Sequence, residues 1–176
     1  MATSKVRPIK ADGQAAYVTL TKGYVAVIDV EDVPLVSGHN WRAHIRYRKD
    51  GTIRAVYAIR RLCEDGRQPT IYMHRVIAKT PDGMETDHQD GDGLNNRRKN
   101  LRPATTAQNQ HNGRLRTDNT SGAKGVSFHK PSGKWMASLR DGGKRKYIGV
   151  FNCVTAAMLH LHRARVAAHG DFAKQV

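Results

Sequence analysis

Glu85-Thr-Asp-His-Gln-Asp-Gly-Asp-Gly-Leu-Asn-Asn96 runs on through Arg97-Arg-Lys-Asn-Leu-Arg102 to Thr105-Thr-Ala-Gln-Asn-Gln-His-Asn112. A strand entering Asp87-His88, a glycine-rich turn, a return strand through Leu101 and a helix capped by Thr105 or Thr106 make a ββα unit over about residues 83–112. His88 and Asn100 are 12 positions apart, and Asn100 and Asn109 are 9 apart. Those spacings return the chain across a hairpin and onto a helix facing it. Asp87 offers a carboxylate oxygen and Asn109 an amide oxygen, hard donors that suit Mg²⁺ or Mn²⁺. His88, with an ordinary pKa near ~6.5, can take a proton from water at neutral pH. Surrounded by Arg97, Arg98, Lys99 and Arg102, these are the parts needed to hydrolyse a phosphodiester without a covalent intermediate. Asp90 and Asp92 read as turn residues. The turn is not a calcium loop, because the twelfth position counted from Asp87 is Arg98, where a bidentate Glu is required.

Upstream, the pattern is β-rich. Tyr17 to Asp29 reads as two strands joined around Lys22-Gly23, and Ile45–Arg48 with Ile53–Ile59 reads as a second hairpin across Asp50-Gly51. Ile71 to Ala78 favours a helix, with Met73, Val76 and Ile77 on one face. His74 beside them reads as a phosphate contact, as a residue supporting the site from behind, or as a satisfied structural histidine, and Arg75 is a candidate DNA contact. His111, two residues past Asn109, falls on another face of its helix and reads as solvated or phosphate-facing.

Downstream, Gly113 to Gly122 is built from turn formers and charge and reads as a linker. From Ala123 three short strands follow, Gly125–Phe128, Lys134–Arg140 and Lys146–Phe151, with turns at Pro131-Ser-Gly133 and Asp141-Gly-Gly143. A helix then puts Val154, Ala157, Met158, Leu161, Ala164 and Ala168 on one stripe, with Asn152 as its N-cap and Gly170 as its stop. On the middle strand Lys134, Met136, Ser138 and Arg140 share one face; Trp135, Ala137 and Leu139 share the other, which should pack on the helix.

Charge and composition narrow the function. The 176 residues carry 30 Lys plus Arg against 15 Asp plus Glu, a formal charge of +15. Residues 97–176 hold 16 of the basic side chains and only 3 of the acidic ones. That imbalance points to a polyanion, nucleic acid before membrane, and to its footprint in the C-terminal part. Cys63 and Cys153 form no CxxC pair, which leaves neither a disulfide framework nor a zinc site to expect. No apolar run approaches the ~20 residues that span a bilayer, and the N-terminus lacks the apolar core of a signal peptide. A reducing compartment, cytoplasm or nucleus, is the expectation.

Asp87-His88, the Asp-Gly-Asp-Gly-Leu-Asn-Asn turn, Asn100-Leu-Arg102 and Ala107-Gln-Asn109 together resemble the HNH (ββα-metal) nucleases, in the branch related to phage homing endonucleases. The resemblance implies His88 as general base, Asp87 and Asn109 as metal ligands, and Asn100 as the residue that ties the hairpin and orients His88. Asn109 stands where the motif's third letter is His, which favours Mg²⁺ over a softer metal. Residues 119–173 resemble a second family, the APETALA2/ethylene-response-factor DNA-binding domain. The matching pieces are Ser121-Gly-Ala-Lys-Gly-Val126, Lys134-Trp-Met-Ala-Ser-Leu-Arg140, Lys146-Tyr-Ile-Gly-Val-Phe151 and Gly170-Asp-Phe-Ala173. By position, Lys124, Ser127, His129, Trp135, Ser138, Arg140, Lys146 and Tyr147 fall where that family meets DNA; Lys134, Lys144 and Arg145, basic residues of the same strands, are further candidate DNA contacts. Ser127, His129 and Cys153-Val-Thr155 depart from its pattern, so base specificity does not carry over.

The resulting expectation is an α+β protein. Residues 1–112 would form a β-rich nuclease domain, residues 113–122 a linker, and residues 123–176 a three-stranded antiparallel sheet packed on one helix. Its function would be metal-dependent cleavage of double-stranded DNA; one site per chain implies a nick in one strand unless the protein dimerises, and a monomer is the expectation. The alternatives are a non-enzymatic, sequence-specific DNA-binding regulator that keeps the HNH scaffold, and a basic RNA-binding protein.

Overall fold

Ile9–Asp12 (β1), Ala15–Thr19 (β2) and Val25–Asp29 (β3) form an antiparallel meander in the computed structural model, which describes residues 6–62, 68–111, 115 and 119–173. Strands β2 and β3 are the hairpin expected around Lys22-Gly23; their alternation sends Ala16, Val18, Ala26 and Ile28 inward. The turn is a single 3₁₀ turn, Thr21–Gly23, in which Lys22 and Gly23 adopt φ of 60° and 74°. Strand β1 was not legible in the sequence, because its pattern shows a single half-buried apolar residue, Ile9, followed by three exposed positions.

A short helix, Val33–Val36 (α1), brings Val36 against the fully buried Trp41, whose indole N–H donates to the Val36 carbonyl at 2.9 Å. Arg42–Tyr47 (β4), Ile53–Arg61 (β5) and Thr70–Tyr72 (β6) make a second antiparallel sheet in the order β4-β5-β6. The segment expected to be one helix from Ile71 therefore divides. Ile71 and Tyr72 pair with β5, and the helix (α2) is Met73–Ala78. Met73 and Ile77 join a core made of Ala16, Val18, Leu20, Ala26, Ile28, Val36, Trp41, Ala58 and Leu101.

Glu85–His88 (β7) pairs with Leu101–Ala104 (β8), register Asp87↔Arg102 and His88↔Leu101, as the hairpin reading requires. The helix that follows, Thr106–His111 (α3), starts with a reciprocal cap. The Thr105 hydroxyl accepts from the Gln108 backbone N–H at 3.2 Å, and the Gln108 amide oxygen accepts from the Thr105 N–H at 2.8 Å. Thr105, not Thr106, is thus the cap.

The chain divides into two units, Met1–Ala104 and Thr105–Val176. Helix α3 groups with the second, where it touches the Gly170–Phe172 turn, so the division falls eight residues before the boundary expected from sequence. Cys63, and residues 112–114 and 116–118 at the expected linker, lie outside the described residues, as does the side chain of His111.

In the second unit Val126–His129 (β9), Lys134–Asp141 (β10) and Lys144–Phe151 (β11) form an antiparallel sheet in the order β11-β10-β9, with Val154–His169 (α4) on one face. Ala123, Val126, Ala137, Leu139, Ala157 and Leu161 are its core. The α4 cap differs from expectation: the helix starts at Val154, which places Cys153 in the N-cap position, and its sulfur accepts from the Ala156 N–H. Ala168, assigned to the buried stripe, is exposed because it lies past the apolar cluster. No helix among the described residues is long and apolar enough to cross a membrane.

Gly93 is closely enclosed in the first unit. A Cβ there would collide with the Val56 carbonyl and stand 2.7 Å from two Tyr57 ring carbons. Gly93→Ala should destabilise the protein by about 3 kcal/mol, read as a melting temperature lower by roughly 10–20 °C.

Candidate active site

The loop between β7 and β8 is held by the edge of the first sheet. The Val27 N–H donates to the Leu94 carbonyl at 2.9 Å, and the Asn96 N–H donates to the Val27 carbonyl at 2.7 Å. Asp29, at the end of β3, accepts from the Arg97 guanidinium and the Arg98 backbone N–H, each at 2.8 Å. Arg98 also grips the buried Asp32. Within the loop, Asp90 and Asp92 are the turn formers expected. Asp90 accepts from the Asp92 N–H and from the amides of Asn95 and Asn100, and Asp92 accepts from the Leu94 N–H.

Asn100 ties this hairpin. Its amide oxygen accepts from the Asp90 N–H at 3.1 Å, its amide nitrogen donates to Asp90 and the Asn95 carbonyl, and its backbone carbonyl accepts from the Gln89 N–H. The bond that orients the His88 ring comes from elsewhere. The His88 Nε2 meets Asn96 Oδ1 at 3.4 Å, and both residues are buried. Asn96 Nδ2 donates to the Leu94 carbonyl, which fixes the amide so that oxygen faces the ring. Oxygen can only accept, so the imidazole proton sits on Nε2 and the lone pair on Nδ1. Sequence reading missed Asn96, since nothing separates it from Asn95 until the fold buries one and exposes the other to Asp90.

Rings pack around His88. His74 lies 5.0 Å from His88 at 86°, and Tyr57 lies 6.0 Å from His88 and 5.6 Å from His74. Tyr72 stands 5.2 Å from His74, and His44 borders Tyr72. His74 Nδ1 is buried and has no hydrogen-bond partner among the described residues. Burial, then the neighbouring His88 and Arg75, push His74 down to about 3. Burial also lowers His88, against the opposing pull of Asn96, Asp90, Asp87 and Asp92. Both rings are neutral at pH 7.

Asp87 is buried, and Arg102, its cross-strand partner, places both Nε and Nη2 at 2.8 Å from Oδ2. The cations expected to face DNA are thus largely occupied within the first unit. Arg97 pairs with Asp29, Arg98 with Asp32 and Glu31, and Arg102 with Asp87. Arg75 binds the carbonyls of Met84, Thr80 and Pro81; Lys99 is exposed. Asp29, Glu31 and Asp32 bring carboxylate oxygens within 4.8 Å of one another, but Arg97 and Arg98 already pair with them.

Asn109 lies on α3, in the second unit, with its backbone N–H on the Thr105 carbonyl. The sheet residues of that unit separate by face. Lys134, Ser127, His129, Arg140, Arg145 and the exposed Tyr147 share the side away from α4. Ser138, on that side, is nearly buried and accepts from Arg145 Nε at 3.0 Å. Trp135 is on the helix side, half-buried against Phe128. Lys146 pairs opposite Leu139, Lys144 is exposed at the turn, and the Lys124 carbonyl accepts from Arg165.

The sequence profile of the HNH endonuclease family matches residues 72–111, from the end of β6 through α3. Protein 3.8 of Escherichia phage T7 is 33% identical over 94 residues, which are 53% of this chain and 77% of that protein. The chain belongs to the HNH endonuclease family. A solved structure of the HNH homing endonuclease I-HmuI, on DNA binding and cleavage, aligns over 89% of this chain and 83% of that one, at 19% identity and a TM-score of 0.30. Within the family match lie His74, Asp87, His88, Asn96, Asn100 and Asn109.

Burying two neutral histidines has a consequence for stability. In the unfolded chain each takes a proton near ~6.5, whereas in the fold His74 resists until about 3. Stability is therefore greatest above pH 6.5 and falls on acidification between those values, by about 1.4 kcal/mol per pH unit for one such group. Urea midpoints at pH 7 and pH 5 should show the drop, and His74→Phe should shrink it. An equal drop in that variant would assign the acid sensitivity to other groups.

Proposed function

We propose that this protein is a divalent-metal-dependent DNA endonuclease, with His88 as general base and the basic sheet of the second unit as the DNA-binding module. The observation that carries the reading is the buried His88 whose Nε2 proton is held by Asn96, within the segment matched by the HNH family. The lone pair on Nδ1 belongs to a neutral imidazole, the state that can accept a proton from water. His88 would deprotonate a water for in-line attack on phosphorus, leaving 5′-phosphate and 3′-hydroxyl ends. Asn96 holds the ring and its tautomer while Asn100 holds the loop. One such site per chain fits a monomer that nicks one strand, acting in the cytoplasm of a bacterial or phage-infected cell.

The donor set fits a hard cation. By the resemblance to the HNH nucleases, Asp87 would offer a carboxylate oxygen and Asn109 an amide oxygen, and neither is a thiolate, which would suit Mg²⁺, or Mn²⁺, rather than zinc. Bound there, the ion would supply positive charge for the leaving 3′-oxygen. On the second unit, Lys134, Arg140 and Arg145 beside exposed Tyr147 present charge and an aromatic ring on one sheet face, as strand-based readers of a DNA groove do. That face, together with the resemblance to the APETALA2/ethylene-response-factor domain, supports a DNA-targeting role.

Nicking of supercoiled DNA at low salt is the direct test. Wild type should nick only with Mg²⁺ or Mn²⁺, and His88→Ala should be slower by roughly 10²–10⁴-fold while binding DNA as tightly. Binding without nicking in either metal would favour the non-enzymatic DNA-binding reading. For the module, Arg140→Ala with Arg145→Ala should weaken duplex binding. The slope of log K against log salt should fall by about 0.9 for each phosphate that is no longer neutralised; an unchanged slope would move the interface elsewhere.

A further inference from the structure

The side of the β9–β11 sheet turned away from α4 carries more than cations. Met136 faces that side, because its neighbours Trp135 and Ala137 pack with the α4 residues, and its cross-strand partner there is Val150. Tyr147 lies diagonally beside Met136, opposite Ser138. None of the three joins the apolar core of the second unit. Val150 is 44% exposed and Tyr147 60%, with Met136 half-buried beside them. Around this apolar patch stand Lys134, Arg140 and Arg145, all exposed. Asp141, the one acid in the three strands, falls on the opposite side by alternation. A rim of cations suits the phosphates of a duplex, but aliphatic side chains add nothing to a phosphate contact. They call for an apolar group on the base edges, and the major groove offers one, the C5-methyl of thymine.

We propose that Met136 and Val150 are specificity residues that read thymine, closing on its C5-methyl in the major groove while Lys134, Arg140 and Arg145 hold the flanking phosphates. The proposal rests on the reading of this sheet as the DNA-binding module. Cytosine in the same place presents its N4 amino donor, and covering that donor with Val150 and Met136 would leave it without an acceptor, which is costly. The minor groove gives no such distinction, since A·T and T·A look alike there. Both side chains stand on directly paired strands, so their positions are set before DNA arrives and little ordering cost is left to binding. Each methyl withdrawn from water adds about fourfold in affinity.

Equilibrium binding of the full chain in EDTA, where metal-dependent cleavage cannot interfere, tests this beside melting temperatures. The probes are poly(dA-dT) and poly(dA-dU) duplexes of equal length, whose bases differ only in the thymine methyl, and poly(dG-dC) with and without 5-methylcytosine. Wild type should prefer dT over dU by roughly four- to fifteenfold, for one or two methyls covered, and should gain on methylation of cytosine. The variants are Val150→Ala, Met136→Ala and the pair together. The double variant should bind poly(dA-dT) no better than poly(dA-dU), with its affinity for poly(dA-dU) unchanged. If it does not fold, Val150→Ala decides, at an exposed position of β11, by showing a smaller preference than wild type. Equal wild-type affinity for dT and dU would overturn the thymine assignment and leave the DNA-binding reading standing. So would a preference that survives in the variants, which belongs to duplex shape, or an equal loss on both polymers, which belongs to sheet stability. A wild type that binds none of the duplexes would overturn the DNA-binding reading as well.

Discussion

The buried side chain of Asn96 is the constraint on which the site depends. Its backbone N–H is bonded to β3, its amide nitrogen to the Leu94 carbonyl, and its amide oxygen to the His88 ring. A polar group this deeply buried is costly unless every atom finds a partner, and each partner here fixes something the site needs. The link to Val27 seats the loop on the first sheet, the link to Leu94 sets the amide's orientation, and the link to His88 decides which ring nitrogen keeps the proton. Asp29 and Asp32 reinforce the same docking by capturing Arg97 and Arg98, so the N-terminal sheet serves as the anvil for the β7–β8 hairpin.

Electrostatics divides the labour between the two units. In the first, the arginines that flank the candidate site are matched by acids or by backbone carbonyls. Such pairs orient side chains and loops but leave little net field to attract a polyanion. In the second, acids are scarce and the cations of one sheet face stand in solvent. Both units thus contribute to the formal charge of +15, and the cation-bearing sheet face of the second is the one proposed above to meet nucleic acid.

The extent to which the site was legible follows from how local each interaction is. Asp87, His88 and Asn100 were found because a hairpin joins them and its turn chemistry, Asp-Gly-Asp-Gly, is written in adjacent residues. The fate of Arg98 was not legible, because its acid lies 66 positions away and pairing depends on where β3 ends. The orphaned nitrogen of His74 was equally invisible. Met-His-Arg announces a histidine near a helix start, but only packing by Tyr57, Tyr72 and His88 removes it from water without giving it a partner.

By itself the sequence determined the strand hairpins, the ββα order, the amphipathic α4 and the concentration of positive charge after residue 97, since each is set by side-chain periodicity, turn residues or composition within a short span. Tertiary structure alone decided that Ile71-Tyr72 joins a sheet rather than a helix, that α3 groups with the second unit, and that Asn96 rather than Asn100 bonds the His88 ring. Those outcomes depend on which distant strand offers an edge and which side chains are withdrawn from water. Both are properties of chain segments meeting in space, and no local pattern encodes them.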